Sequence, residues 1–316
     1  MPKILGGGFD WPTREGGRPK VEMPQEGIMK SRRIGSIPVS EVGLGACLLS
    51  NEGRPGDAQA IATIHAALDA GVTLIDTADA YAISDADFGH NELLVRRALA
   101  SYGSCASQVL VATKGGHTRE GTAWGIDGDP NRLKRACRDS LRRLGVDAIG
   151  LYQLHWPDPY VPYAESVGAL RDLLDEGLIQ MAGISNADTS QIAVALDVLD
   201  GRLASVQNEF SVLRRASEAE VGYCAERGIA FLSYQPLGGI GVAQDLGARE
   251  PFLKHLAVDH GVSPQRVALA WLLARAPNVI PIPGASRPAT IVDSAQAGTV
   301  CLSPEEIEQL DRRRPA

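Results

Sequence analysis

The sequence predicts one closed (β/α)8 barrel, and three observations carry that prediction. Strand-length apolar runs alternate with helix-period segments about eight times, which calls for a parallel sheet with helical crossovers. Run after run ends on a polar or special residue: Asp76, Lys114, His155, Asn186, Gln207, Tyr234 and Gly284. A barrel places functional groups at the C-terminal ends of many strands. The competing fold, an open doubly wound sheet, would carry a G-x-G-x-x-G turn after its first strand. Here Gly43-Leu44-Gly45 follows too little apolar sequence and lacks the third glycine.

The elements follow in order. Residues 1–30 stand apart, because Gly6-Gly7-Gly8, Gly16-Gly17 and four prolines break any period. They are read as an irregular extension ahead of a single domain at 31–316. Residues 34–39 suit a small hairpin, and 41–45 a first strand. Asp57 suits the N-cap of a helix carrying Ile61, Ile64 and Leu68, which Gly71 ends. Residues 72–75 form a strand ending at Asp76. A helix at 91–102 leads to a strand at 109–113 ending at Lys114. The Gly-rich stretch 115–130 is read as a loop. The helix at 131–144 shows one apolar face of Leu133, Cys137, Leu141 and Leu144. Strand 148–154 ends at His155, and helix 163–176 is closed by Gly177. Strand 179–184 ends at Ser185-Asn186 and is followed by helix 189–199. Strand 203–206 ends at Gln207-Asn208 and is followed by helix 217–227. Strand 229–233 ends at Tyr234. Helices near 249–260 and 264–276 follow, the second opened by Ser263-Pro264. A last strand, 279–282, ends at Pro283-Gly284, and helices at 288–296 and 303–313 close the chain.

Composition narrows the function. With 44% hydrophobic and 22% charged residues over 316 positions, the chain is an ordinary globular one. No apolar run nears the ~18 residues of a membrane span, and no secretory signal is visible. A net charge of −7 argues against nonspecific nucleic-acid binding. The basic run Arg312-Arg313-Arg314 is read as a solvated tail. Five widely spaced cysteines, with no C-x-x-C pair, fit reduced thiols in the cytoplasm and argue against a disulfide framework or a metal site.

In a barrel, Asp76, Tyr81, Lys114 and His155 converge on one mouth. Taken singly each has a bland reading, as a cap, a solvated charge or a satisfied structural histidine; their recurrence on consecutive strands favours function. A lysine beside a tyrosine favours the phenolate and so lowers the phenol's pKa. A carboxylate keeps that lysine charged and oriented. A histidine fixes the angle of a carbonyl by hydrogen bonding. The set is a proton donor aimed at a carbonyl oxygen. No Ser or Cys nucleophile is paired with a base, so hydride must come from elsewhere, which points to a nicotinamide cofactor.

At these residues the chain resembles an aldo-keto reductase. The matching stretches are Asp76-Thr77-Ala78-Asp79-Ala80-Tyr81, Val111-Ala112-Thr113-Lys114, Leu151-Tyr152-Gln153-Leu154-His155, Gly183-Ile184-Ser185-Asn186, Gln207-Asn208 and Ile280-Pro281-Ile282-Pro283-Gly284. The likeness runs from about residue 31 to 312. It implies a (β/α)8 barrel that binds NADPH across its mouth and reduces a small-molecule aldehyde or ketone. By the family's pattern Tyr81 is the general acid, Lys114 lowers its pKa, Asp76 pairs with Lys114, and His155 orients the carbonyl. Ser185, Asn186 and Gln207 hold the nicotinamide carboxamide, and Tyr234 stacks on its ring. Pro236, Leu237 and Gly238 resemble the loop that covers the pyrophosphate. At the adenosine end the chain departs from the best-known members: Gly284 replaces a basic residue, Thr290 stands where an Arg often grips the 2′-phosphate, and Asp293 and Ser294 replace a Glu-Asn pair. Arg287 and Ser286 are the compensating groups, and NADPH is expected ahead of NADH. Trp124, His117, Trp156 and Cys47 are the pocket candidates.

Two other readings use the same residues. The potassium-channel β subunits share the fold and hold a cofactor while acting as partner proteins. Alternatively, Lys114 serves as the Schiff base of a barrel lyase.

Overall fold

Gly35 takes a φ of +54°, and the chain folds back there as an antiparallel hairpin of β1 (Ser31–Ile34) and β2 (Ile37–Ser40). The computed structural model describes residues 29–313, so all but the last two residues of the extension expected at 1–30 lie outside the described residues, as does Arg314. The chain then runs through β3 (Leu44–Gly45), α1 (Asp57–Asp69), β4 (Leu74–Asp76), α2 (His90–Tyr102) and β5 (Leu110–Gly115). A second hairpin, β6 (His117–Glu120) and β7 (Ala123–Ile126), precedes α3 (Pro130–Leu144). Next come β8 (Leu151–Leu154), α4 (Tyr163–Asp175), β9 (Ala182–Ser185), α5 (Thr189–Val198), β10 (Leu203–Glu209), α6 (Glu218–Glu226) and β11 (Ala230–Tyr234). The last part holds α7 (Leu246–Arg249), α8 (Pro251–Asp259), α9 (Pro264–Arg275), β12 (Val279–Pro281), α10 (Pro288–Ala295) and α11 (Pro304–Arg312).

Eight strands pair in parallel in the order β3-β4-β5-β8-β9-β10-β11-β12. The two edges meet: Gly43 N donates to Pro281 O at 2.9 Å, Gly45 N donates to Pro283 O at 3.0 Å, and Gly45 bridges Gly284. This closes the barrel that the alternation predicted. The seam needs its glycine, since a Cβ on Gly45 would stand 2.7 Å from the Ile282 carbonyl oxygen.

The lower half of the barrel is apolar. Leu74, Leu110, Leu151, Leu232 and Ile280 fill it, and Ile34 and Val39 of the first hairpin plug it from below. Arg32 ties that plug down by donating to Leu273 O and Ala276 O at the end of α9, each at 2.6 Å. Outside, α3 buries the face read from the sequence: Leu133, Cys137, Leu141 and Leu144. Each buried leucine there contributes about 1.5–3 kcal/mol. Asp129 caps this helix through the Arg132 amide at 2.9 Å.

Two local expectations fail. Asp57 is not an N-cap: Gly56 holds that position, and the Asp57 carboxylate leans across to Arg97 of α2 at 2.8 Å. Residues 115–130 are not all loop. Their strands are too short and too polar to show a period, and Gly121, with a φ of +56°, turns one onto the other.

No helix among the described residues is long and apolar enough to cross a membrane.

Candidate functional site

A polar layer sits on the apolar plug. Asp76, Gln153 and Gln207 come from β4, β8 and β10, the second, fourth and sixth barrel strands, as layered barrel interiors require. Gln207 Nε2 donates to Asp76 Oδ2 at 2.8 Å, and Gln153 Nε2 reaches the same oxygen at 3.3 Å. Gly183 leaves the room, because a Cβ there would stand 2.9 Å from Gln153 Cγ and 2.3 Å from Ser205 Oγ. Gln153 entered the sequence reading only inside a longer match; its signal was an amide in the middle of an otherwise apolar strand.

Lys114, at the end of β5, is completely buried. Its ammonium donates to Asp76 Oδ1, to Thr77 O at 2.9 Å and to the Tyr81 hydroxyl at 3.1 Å. An ammonium has three hydrogens to give, and all three are committed. A Schiff base needs a free neutral amine, so this arrangement does not favour the lyase reading. The registers Asp76↔Ala112 and Lys114↔Gln153 place the three strand ends side by side. Beyond β4, Thr77 N bonds Ala112 O at 2.8 Å and Asp79 N bonds Lys114 O at 3.2 Å, carrying the chain to Tyr81 in fixed geometry.

The expected net lowering of the Tyr81 pKa is not met. Burial pushes the phenol well above its ordinary value, and Cys47, Asp76, Tyr234 and Asp79 push the same way. Loss of solvation thus outweighs the pull of the Lys114 ammonium 3.1 Å away. Tyr81 is therefore a phenol held protonated, which suits proton donation.

His155 follows β8. Its ring stands edge-on to Tyr81 with centroids 5.6 Å apart. Burial, Lys114 and His117 hold it well below the usual imidazole range, so it is neutral. His117 of β6 packs on it at 4.3 Å, and Trp124 and Trp156 stand 5.3 and 6.0 Å from the His117 ring. Cys47 is half-buried beside this group, its thiol pushed up to about 11 by burial. The four pocket candidates thus gather at one mouth. Arg119 fastens the β6–β7 hairpin to the loop after Tyr81, donating to Ala82 O at 3.0 Å and Ile83 O at 2.5 Å.

The residues expected to hold a cofactor divide into two groups. Ser185, Asn186, Gln207 and Tyr234 adjoin the cluster of Asp76, Tyr81, Lys114 and His155. Tyr234 OH donates to Asn186 Oδ1 at 2.7 Å, Asn186 Nδ2 donates to His155 O at 3.0 Å, and Ser185 Oγ donates to Gln207 O at 2.7 Å. Asn186 has a φ of +59°, a conformation Asn tolerates better than most residues. Gln207 is turned to Asp76 rather than left free. The second group is on the following loops. Pro236, Leu237 and Gly238 are buried, and Gly238, Gly239 and Gly241 all take positive φ. Among the described residues the amides of Gly239, Ile240 and Gly241 have no hydrogen-bond partner. Gly284 lies at the barrel seam, with Ser286 and Arg287 after it. Arg287 is exposed and makes no ion pair among the described residues. Asp293 has both oxygens engaged, by Ser263 Oγ and Arg266 Nη2 at 2.5 Å each.

Behind the mouth is a network that the sequence did not disclose. Glu92 accepts from Thr113 Oγ1 at 2.6 Å and Arg143 Nε at 2.5 Å. Asp79 is buried beside it with Oδ1 unpartnered; burial and the nearby Glu92 hold its carboxyl well above the usual range. Among the described residues no cluster of His, Cys, Asp and Glu could hold a metal ion.

The chain is similar to known proteins in sequence and fold. The pattern of the Aldo/keto reductase family matches residues 41–314. The 6-dehydroglucose reductase of Novosphingobium aromaticivorans is 34% identical over 276 residues, covering 84% of this chain and 89% of its own. The pyridoxine 4-dehydrogenase of Escherichia coli is 32% identical over 289 residues, covering 88% and 96%. An aldo/keto reductase from Klebsiella pneumoniae, solved with NADP and acetate, superposes with a TM-score of 0.75 at 28% identity, covering 90% of this chain and 95% of its own.

Proposed function

The chain belongs to the aldo/keto reductase family, and on that premise we propose that Tyr81 is its proton donor, set up by Lys114, Asp76 and His155. The protein is an NADP-dependent oxidoreductase that reduces an aldehyde or ketone to an alcohol. The observation that carries the site assignment is the Lys114 ammonium shared between the Asp76 carboxylate and the Tyr81 hydroxyl, 3.1 Å away.

NADPH, when bound, supplies the hydride. Its residues here are Ser185, Asn186, Gln207 and Tyr234 at the nicotinamide end, and the 236–238 turn at the diphosphate. The unpartnered amides of Gly239, Ile240 and Gly241 suit such an anion. Gly284, Ser286 and Arg287 serve the adenosine end, where an unpaired guanidinium suits a phosphate. Asp293 acts there through the Arg266 it holds.

Tyr81 and His155 both donate to the carbonyl oxygen. As that oxygen gains negative charge, Tyr81 releases its proton to it. Lys114 stabilises the phenolate left behind, in a site where burial strengthens that interaction. The partner-protein reading leaves this assembled donor set without a purpose. The five cysteines are all free, and we place the protein in the cytoplasm on that ground.

The test is NADPH consumption by the purified protein across aldehydes, pyridoxal and sugar-derived ketones, with NADH in parallel. Turnover faster with NADPH than with NADH is expected. NADPH binding without turnover of any carbonyl would remove the reductase reading.

A further inference from the structure

We propose that His117 determines which carbonyl compounds are reduced, by accepting a hydrogen bond from a hydroxyl group that the substrate carries near its carbonyl.

The argument begins with the tautomer. His117 Nδ1 lies 2.9 Å from the carbonyl oxygen of Gly125. A carbonyl oxygen only accepts, so Nδ1 carries the hydrogen. Burial and the charges of Lys114 and Arg119 hold His117 below the usual imidazole range, so the ring is neutral. A neutral imidazole with its hydrogen on Nδ1 has a bare lone pair on Nε2. Among the described residues nothing donates to that nitrogen.

The hairpin fixes this orientation. Thr118 pairs with Gly125 and Arg119 with Trp124 across the two strands. Gly125 is required, since a Cβ there would stand 2.4 Å from Thr118 Oγ1. The Arg119 guanidinium stacks 4.1 Å from the Trp124 ring centroid and bonds the two carbonyls after Tyr81. His117 is thereby held in register with the catalytic loop.

Placement then gives the chemistry. His117 and His155 rings are 4.3 Å apart, and His155 and Tyr81 rings 5.6 Å apart. Tyr81 and His155 meet the carbonyl oxygen as donors. A lone pair one ring further out accepts from water until a substrate with a hydrogen to give takes its place. A plain aldehyde or ketone has none. A hydroxyl on the carbon next to the carbonyl, or on the one after it, has one. The site therefore favours hydroxylated carbonyls over their deoxy counterparts. A site built to bond a substrate hydroxyl discriminates against the analogue that lacks it.

This inference rests on the reductase reading, and its test separates the two. The first readout is the ratio of kcat/KM for glycolaldehyde to acetaldehyde, and for glyceraldehyde to propanal, in wild type, His117→Phe and His117→Gln. The second readout needs no turnover: binding of 1,2-propanediol against 1-propanol to the NADP-loaded protein. His117→Phe is expected to lower both ratios by about tenfold, the worth of one neutral hydrogen bond. His117→Gln, whose amide oxygen still accepts, is expected to recover part of that. Ratios within twofold of wild type in His117→Phe overturn the inference while leaving the reductase intact. A His117-dependent preference for the diol in a protein that reduces no carbonyl upholds the inference and removes the reductase reading.

Discussion

Gln207 donates to the Asp76 oxygen that Lys114 leaves free, at 2.8 Å, so the carboxylate is held from two sides of the barrel. Asp76 is thus both the counter-ion of a completely buried lysine and the link between three strands. Asp76→Asn removes the charge and keeps the shape. It is expected to destabilise the fold by about 3–5 kcal/mol, the cost of leaving one partner of a buried ion pair uncompensated. Equilibrium urea unfolding measures this; a loss below about 1 kcal/mol would show that the fold does not depend on the Asp76 charge.

The pH profile of reduction follows from two shifted groups. Tyr81 stays protonated well beyond its ordinary value of about 10, and His155 stays neutral well below about 6.5. The kcat for reduction is expected to be flat between those limits as far as these two groups are concerned. A Tyr81→Phe-sensitive limb titrating near pH 7–8 would contradict the account, because it would mean that Lys114 outweighs the burial of the phenol.

Asp79 ties stability to pH. Its folded-state carboxyl is raised, so the native state takes up a proton that the unfolded chain gives up above about pH 4. Its contribution to stability is complete below that value and is lost as pH rises toward the folded-state value. Asp79→Asn removes the loss. Melting curves are expected to show no gain for the variant near pH 4 and a gain that grows by up to about 1.4 kcal/mol per pH unit above it. A gain independent of pH would show that Asp79 is ionised in the fold.

The barrel seam has its own sensitivity. A Cβ on Gly45 meets the backbone oxygen of Ile282 at 2.7 Å, and backbone cannot swing aside as a side chain does. Gly45→Ala is expected to cost about 1–3 kcal/mol, in the range for overpacking, read by urea midpoint. Wild-type stability would mean that the seam opens without penalty.

How much of this the sequence disclosed depends on the range of the interaction. The barrel was legible because apolar runs and helix periods are local, and because Asp76, Lys114 and His155 each end such a run. Tyr81 ends no run, and it was singled out by its place five residues after Asp76. The β6–β7 hairpin was not: four-residue strands such as His117–Glu120 carry no period, and their order comes from Arg119 reaching the Tyr81 loop. The sign of the Tyr81 shift was missed because a residue pattern shows Lys114 beside Tyr81 but not the burial of the phenol. Glu92 and Arg143 lie on α2 and α3 and Asp79 on the turn after β4, and only tertiary packing brings them together.

The most direct test is single-turnover reduction by Tyr81→Phe at saturating NADPH, with NADPH affinity measured beside it by fluorescence. The account predicts a fall of about 10²–10⁴-fold in the hydride-transfer rate, the usual contribution of a positioned general acid, with NADPH affinity close to wild type. Wild-type turnover in Tyr81→Phe would contradict it, and the proton donor would have to be sought elsewhere in the mouth.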